Sequence, residues 1–278
     1  MKPPRWASRT GLGARFWEDG KSADCPVIDA HAHMGAWRGI YFPAAEPAAM
    51  VRRMDRAGVR MIVFSHHAAL SSPDLLNRPS EEAVRAFPDR LRAYCVYHPR
   101  YPEASEAALA GYDAHPGVYA GLKLHPDMHE VPCTDARYAP AWEFADRRGL
   151  PMLVHTWGVS SSDGTAAMRT VAERWPNVRL ILGHSLHNLW GDAIALARDF
   201  PRVYLDLCAV LDERTGVLER FVGEVGSDRV LFGTDIPWFD FHYYLAGVLA
   251  ADIREEDMRN ILYRNARRLF GLPREDVE

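Results

Sequence analysis

Two histidines two residues apart, His31 and His33, close the apolar run Val27-Ile28-Asp29-Ala30-His31-Ala32-His33. In a β-strand, residues two apart point to the same side, so both imidazoles can reach one cation. Other short apolar runs end on groups of the same kind: His155 in "LPMLVHT", His184 in "VRLILGHS" and Asp235 in "RVLFGTD". Three imidazoles and a carboxylate suit one divalent ion, Zn²⁺ first and Mn²⁺ as the alternative, with a position left for water. Such an ion lowers the pKa of bound water to about 7. Asp235 or His184 could then take up and return a proton.

Groups so far apart in the chain meet only if the fold gathers them. Runs rich in Val, Ile, Leu, Tyr or Phe recur at 27–33, 59–65, 91–97, 118–124, 150–155, 178–183, 202–208 and 229–234, and segments of helical period lie between them. After the first run, Pro47 suits a first helical turn, Met50, Val51, Met54 and Ala57 form one apolar stripe, and Gly58 can end the helix. Eight strand and helix units of this kind predict a single α/β domain, a parallel (β/α)₈ barrel with the histidines at the carboxyl ends of its strands. A doubly wound sheet would want a Gly-rich phosphate loop after its first strand, and the His-Ala-His-Met-Gly turn is not one.

Composition narrows the partners. A formal net charge of −4 in 278 residues gives no reason to expect nucleic acid. No stretch approaches the roughly 20 apolar residues of a membrane span, and the amino terminus lacks a hydrophobic signal core. Cys25, Cys95, Cys133 and Cys208 form no C-x-x-C pair, which fits a reducing, cytoplasmic setting. Residues 1–24, Arg-rich with Trp6, Phe16 and Trp17, read as an extension packing on the barrel, and residues 25–278 as the barrel itself. A homodimer through outer helices is the assembly expected.

The loops suggest a pocket for a small molecule. Arg38 follows the first strand, Arg100 the third, Trp157 the fifth and Trp238 the eighth. Aromatic walls with arginine would suit a planar substrate bearing a carboxylate. His125 and Lys123, on the fourth strand, could also orient substrate. One of His66, His67 and His98 is expected to touch the pocket, whereas His115, His129, His187 and His242 read as surface or helix residues. Asp29 and Asp206 share inward parity with their strands; Asp206 reads as a hydrogen-bonded core group, and Asp29 either as that or as a brace for a ligand. The loop with Ser160, Ser161, Ser162 and Gly164 reads as a lid or a plain surface loop.

Taken in order, "VIDAHAH", "GLKLHP", "PMLVHT", "LILGHS", "VLFGTDIPW" and "NILYRNARRLFGL" resemble the amidohydrolase superfamily, and more closely its amidohydrolase-related branch of metal-dependent hydrolases and decarboxylases. The resemblance spans residues 27 to 271. It implies a metal-bearing barrel in which His31, His33 and His155 bind the ion, Asp235 is a ligand or proton shuttle, and His184 polarises substrate or acts as acid/base. Some members carry a second metal bridged by a carboxylated lysine, the place Lys123 would take; one metal is the expected count. The activity expected first is hydrolysis of an amide, lactam, ester or lactone. The alternative is non-oxidative decarboxylation of a small carboxylic acid, and a barrel that binds without turnover is the third reading.

Overall fold

A parallel strand covered on both faces needs a near-continuous apolar run, and the eight predicted runs meet that need. The computed structural model, which describes residues 10–72, 75–212 and 214–273, places β1 at Val27–Met34, β2 at Val59–His66, β3 at Leu91–Val96 and β4 at Tyr119–Leu124. It continues with β5 at Pro151–Trp157, β6 at Arg179–His187, β7 at Val203–Asp206 and β8 at Val230–Leu231. The strands run parallel in the order β1 to β8. The ring closes where Ala30 N donates to Phe232 O at 2.8 Å and Ala32 bridges Ile236 in parallel. The expected (β/α)₈ barrel is present.

The helices between strands follow their sequence signals. Pro47 lies in the first turn of the helix Pro47–Ala57, Met50, Met54 and Ala57 are buried, and Gly58 ends it at φ 78°. Trp142 and Trp175 stack at 5.1 Å between the helices that flank β5. Each fully buried Leu, Ile, Val or Met contributes about 1.5–3 kcal/mol. That packing holds the strand ends in place.

Two strands are shorter than their apolar runs. β8 is regular only over Val230–Leu231, because the chain beyond it crosses directly over the barrel's polar interior: a Cβ on Gly233 would lie 2.0 Å from Asp206 Oδ1. From there Thr234 N and Asp235 N both donate to the His31 carbonyl, at 3.2 and 2.8 Å. β7 stops at Asp206, whose own Oδ1 accepts Cys208 N at 3.2 Å as the chain turns.

Of the amino-terminal extension, residues 1–9 lie outside the described residues. The helix Gly11–Asp19 buries Leu12 and Phe16 and packs against the helix Phe241–Ala250. Ser22 N donates to the Ala57 carbonyl at 2.9 Å. The serine-rich loop is tied down: Ser160 Oγ donates to Asp127 Oδ1 at 2.6 Å, Gly164 N to the Ser160 carbonyl at 3.0 Å, and Asp163 Oδ1 accepts Trp157 N at 3.1 Å. None of the described helices is long and apolar enough to cross a membrane.

Candidate metal centre

β1 and the segment after β8 meet at three donor atoms. Asp235 Oδ1 is 3.0 Å from His33 Nε2 and 3.5 Å from His31 Nε2. Donors held 2.0–2.2 Å from a tetrahedral ion lie about 3.4 Å apart, so the spacing fits one divalent cation. The electrostatics fit as well. Asp235 Oδ1 is buried, and although His33 Nε2 stands 3.0 Å away the pair lacks hydrogen-bond geometry; a buried oxygen left so costs about 1–3 kcal/mol unless something satisfies it. Burial would raise the Asp235 pKa, yet contact with His33 and the charges of His31 and His184 hold it well below the usual carboxylate range. Burial lowers the His33 pKa, and a neutral imidazole is the form that coordinates.

His155 and His184 form a neighbouring pair, not part of this trio. His184 Nε2 lies 3.1 Å from His155 Nδ1, and the His31 and His184 rings are 4.9 Å apart. Burial pushes the His184 pKa down to about 3 and that of His155 well below its ordinary value. Lys123 is fully buried, with Nζ 3.2 Å from His31 Nε2. Burial lowers its pKa to about 8.

The residue that holds His31 in place is Asp206, read from the sequence as a hydrogen-bonded core group without its partner. Asp206 Oδ2 lies 2.6 Å from His31 Nδ1 and also accepts His184 N at 3.0 Å. Its pKa stays low despite burial, because His31 faces it. Carboxylates behind a ligating imidazole set its tautomer and orientation. Inward parity was visible in β7, but parity does not say which residue across the barrel a side chain meets. Asp29 has a different job: it accepts Thr234 N, Thr234 Oγ1 and His31 N, at 3.2, 2.5 and 3.0 Å, and so braces β1 against the chain after β8.

A cavity of about 540 Å³ opens above the donors. His33, Asp235 and His184 lie on its floor side, and Trp37, Trp157 and Trp238 supply aromatic wall. His125 lines it too, stacked on His155 at 4.0 Å. Of the three histidines after β2 and β3, His67 is the one that lines it. Arg38 and Arg100 do not: Arg38 is exposed, and Arg100 is committed to Glu130 Oε2 and the His129 carbonyl, each at 2.7 Å. Lys123 lies below the cavity, beside His31, and does not line it. Two histidines read as surface or helix residues are buried, and of these His129 does close a short helix, Pro126–His129. His129 is 1% exposed and bonded to the Tyr138 hydroxyl at 2.7 Å, and His187 ends β6 stacked on Trp157 at 3.7 Å. A second cavity, of about 570 Å³, opens by Ser22, Cys25, Arg60 and Arg90 and contains none of these donors.

A closed parallel barrel with an imidazole and carboxylate cluster at its strand ends defines a metal-binding barrel of the enzyme kind. Comparison with known proteins is specific: the amidohydrolase family pattern matches residues 28–272, and the chain belongs to that family. It is 24% identical over 252 residues, 70% of this chain and 74% of the relative, to a gamma-resorcylate decarboxylase of Rhodococcus jostii. Among solved structures, an uncharacterised TIM-barrel protein of Bordetella bronchiseptica superposes with a TM-score of 0.74 at 20% identity, covering 88% of this chain and 98% of that one. A dihydroxybenzoic acid decarboxylase of Polaromonas, with bound manganese and the inhibitor 2-nitroresorcinol, gives 0.70 at 18% identity, covering 91% and 99%. These structural likenesses show the fold.

The relatives correct the expectation of hydrolysis. All four curated matches are named gamma-resorcylate decarboxylases. The metal-site motifs serve either chemistry, so they could not discriminate; the matches extend over 74% and 87% of the first two relatives.

Proposed function

We propose that this chain is a metal-dependent, non-oxidative decarboxylase of a small aromatic carboxylic acid. The observation that carries the reading is the tryptophan-walled cavity opening directly onto His33 and Asp235, in a chain whose relatives are named for decarboxylating a ring acid. A planar ring fits between indole faces. With both arginines outside the cavity, the acid group is left to the centre at its floor.

His31, His33 and Asp235 would hold the ion, Zn²⁺ or Mn²⁺, and His155, paired with His184 beside this trio, is the further ligand that the family resemblance implies. When bound, it supplies positive charge for the substrate's carboxylate and a neighbouring oxygen. His184 Nδ1, buried and without a hydrogen bond among the described residues, is the atom left to meet a substrate oxygen. Asp235 takes a proton from solvent and delivers it to the ring carbon. The bond from that carbon to the carboxylate breaks, its electron pair remains on the ring carbon and forms the new C–H bond with the proton, and CO₂ leaves. A reducing, cytoplasmic setting belongs to the same proposal, supported by the free, buried thiols of Cys95, Cys133 and Cys208.

The test is CO₂ release from a panel of hydroxybenzoates and carboxyvanillate by the chain loaded with Mn²⁺ or Zn²⁺. Release that stops on chelation and returns with the ion is expected. A fully loaded, folded chain that releases none from any ring acid would overturn the reading.

A further inference from the structure

The loops after β1, β2 and β8 meet at one imidazole. His67 is 2% exposed and opens the short helix His67–Ser71 that follows β2. Its Nδ1 lies 2.8 Å from the Gly35 carbonyl oxygen, just past β1. Its Nε2 accepts the indole N–H of Trp238 at 3.2 Å. A carbonyl only accepts and an indole N–H only donates, so the neutral ring carries its proton on Nδ1 and turns a lone pair toward Trp238. With both nitrogens committed, His67 has none left to bind an ion or move a proton.

Its faces are committed too. The ring is near-parallel to His33, at 5.1 Å and 12°, and to Phe42, at 5.7 Å and 24°. Trp238 meets it edge-on at 87°, and the same indole packs edge-on against Phe42 at 5.0 Å and Trp37 at 6.0 Å. Trp238 itself is 37% exposed. A large side chain at that exposure can sample several rotamers, and a donor bond to a fixed acceptor selects one.

We propose that His67 is a positioning residue: it fixes the indole of Trp238, and with it one wall of the cavity, in the orientation that receives the substrate ring. This rests on the cavity being a site for an aromatic acid and identifies what sets its shape. Ordering a wall before binding removes an entropy cost that each binding event would otherwise bear. The effect should therefore fall on substrate affinity, and a substitution that keeps a flat ring against His33 leaves that metal donor in place.

The experiment uses the full chain, loaded with Mn²⁺ for kinetics and with Zn²⁺ for ¹⁹F spectra of protein carrying 5-fluorotryptophan. The Trp238 resonance is assigned by its loss in Trp238→Phe. In His67→Phe, which keeps a flat ring and removes both hydrogen bonds, that resonance should shift and broaden with metal content unchanged. KM for 2,6-dihydroxybenzoate should rise about 5- to 10-fold while kcat changes less than about 2-fold. Trp238→Phe removes the bond from its exposed end, so it tests the proposal even if the buried substitution costs the fold. It should raise KM similarly, and adding His67→Phe to it should raise KM no further. An unmoved Trp238 resonance in folded His67→Phe, an unchanged KM in Trp238→Phe, or a loss confined to kcat overturns the proposal. A wild-type chain inactive on every ring acid whose Trp238 resonance still moves in His67→Phe would sink the decarboxylase reading and leave the fixing of Trp238 by His67 standing.

Discussion

Asp206 Oδ2 stands 2.6 Å from His31 Nδ1, and both side chains are 1% exposed. The carboxylate cannot swing away, because the N–H groups of His184 and Cys208 also hold it. The bond turns His31 Nε2 toward Asp235 and His33. Asp206→Asn keeps the shape and removes the charge, so metal affinity should fall about 10- to 100-fold. Metal content after dialysis against graded chelator measures this. Unchanged affinity would mean that packing alone orients His31.

Lys123 offers a test of the metal count. Its amine is 3.2 Å from His31 Nε2, beside the donor trio. With one metal per chain, Lys123→Met should retain the wild-type stoichiometry by elemental analysis. Loss of half the bound metal would point to a bridging carbamate.

The barrel was legible because its two periods are strong: apolar runs repeat at strand length, and Pro47 and Gly58 mark a helix end to end. Within the site, the pairing of His31 with His33 follows from strand parity, and Asp235 from its place at the end of an apolar run. Contacts across the barrel were not legible. Asp206 reaches His31 from β7 across the interior, and His67 reaches Trp238 from another loop. Local backbone also hid several groups. His184, Ser185, Leu186 and Asp235 all take positive φ, between 46° and 63°, so alternation along a strand no longer predicts where their side chains point. Arg100 follows a strand, as a substrate-binding residue would, but an acid next to His129, Glu130, takes its guanidinium.

Acid stability should depend on Asp257, far from the donors in the chain and bonded to other groups. Arg254 donates to Oδ2 at 2.9 Å and Oδ1 at 3.0 Å, and Ser227 Oγ donates to Oδ1 at 2.7 Å. These bonds, that of Arg254 first, depress its pKa against the opposing effect of burial. Its contribution is thus complete above the unfolded-state pKa of about 3.9 and is lost as pH falls through the lower folded value. Arg254 is largely exposed, which limits its ion-pair contribution to about 0.5–1 kcal/mol and makes it sensitive to salt. Asp257→Asn should be less stable than wild type at pH 6, with the gap narrowing below pH 4. Denaturant melts at the two pH values check this, and a constant gap would show that the charge of Asp257 does not contribute.

Gly233 tests whether the carboxylate behind His31 has any room. A Cβ there would lie 2.0 Å from Asp206 Oδ1, 2.9 Å from His31 Cβ and 3.1 Å from Asp206 Cγ. None of these is the free end of a flexible side chain, since Asp206 is held by three donors and His31 lies on β1. Gly233→Ala must therefore push the chain after β8 outward or break the Asp206–His31 bond. Overpacking of this kind costs about 1–3 kcal/mol, which for a chain this size lowers Tm by roughly 2–10 °C. Displacing Asp206 should also weaken metal binding in the same direction as Asp206→Asn, so the two substitutions combined should lose less affinity than the sum of their separate losses. Calorimetry and metal titration on the single and double variants measure both effects. A Gly233→Ala chain with wild-type Tm and metal affinity would show that the segment after β8 can give way without moving Asp206.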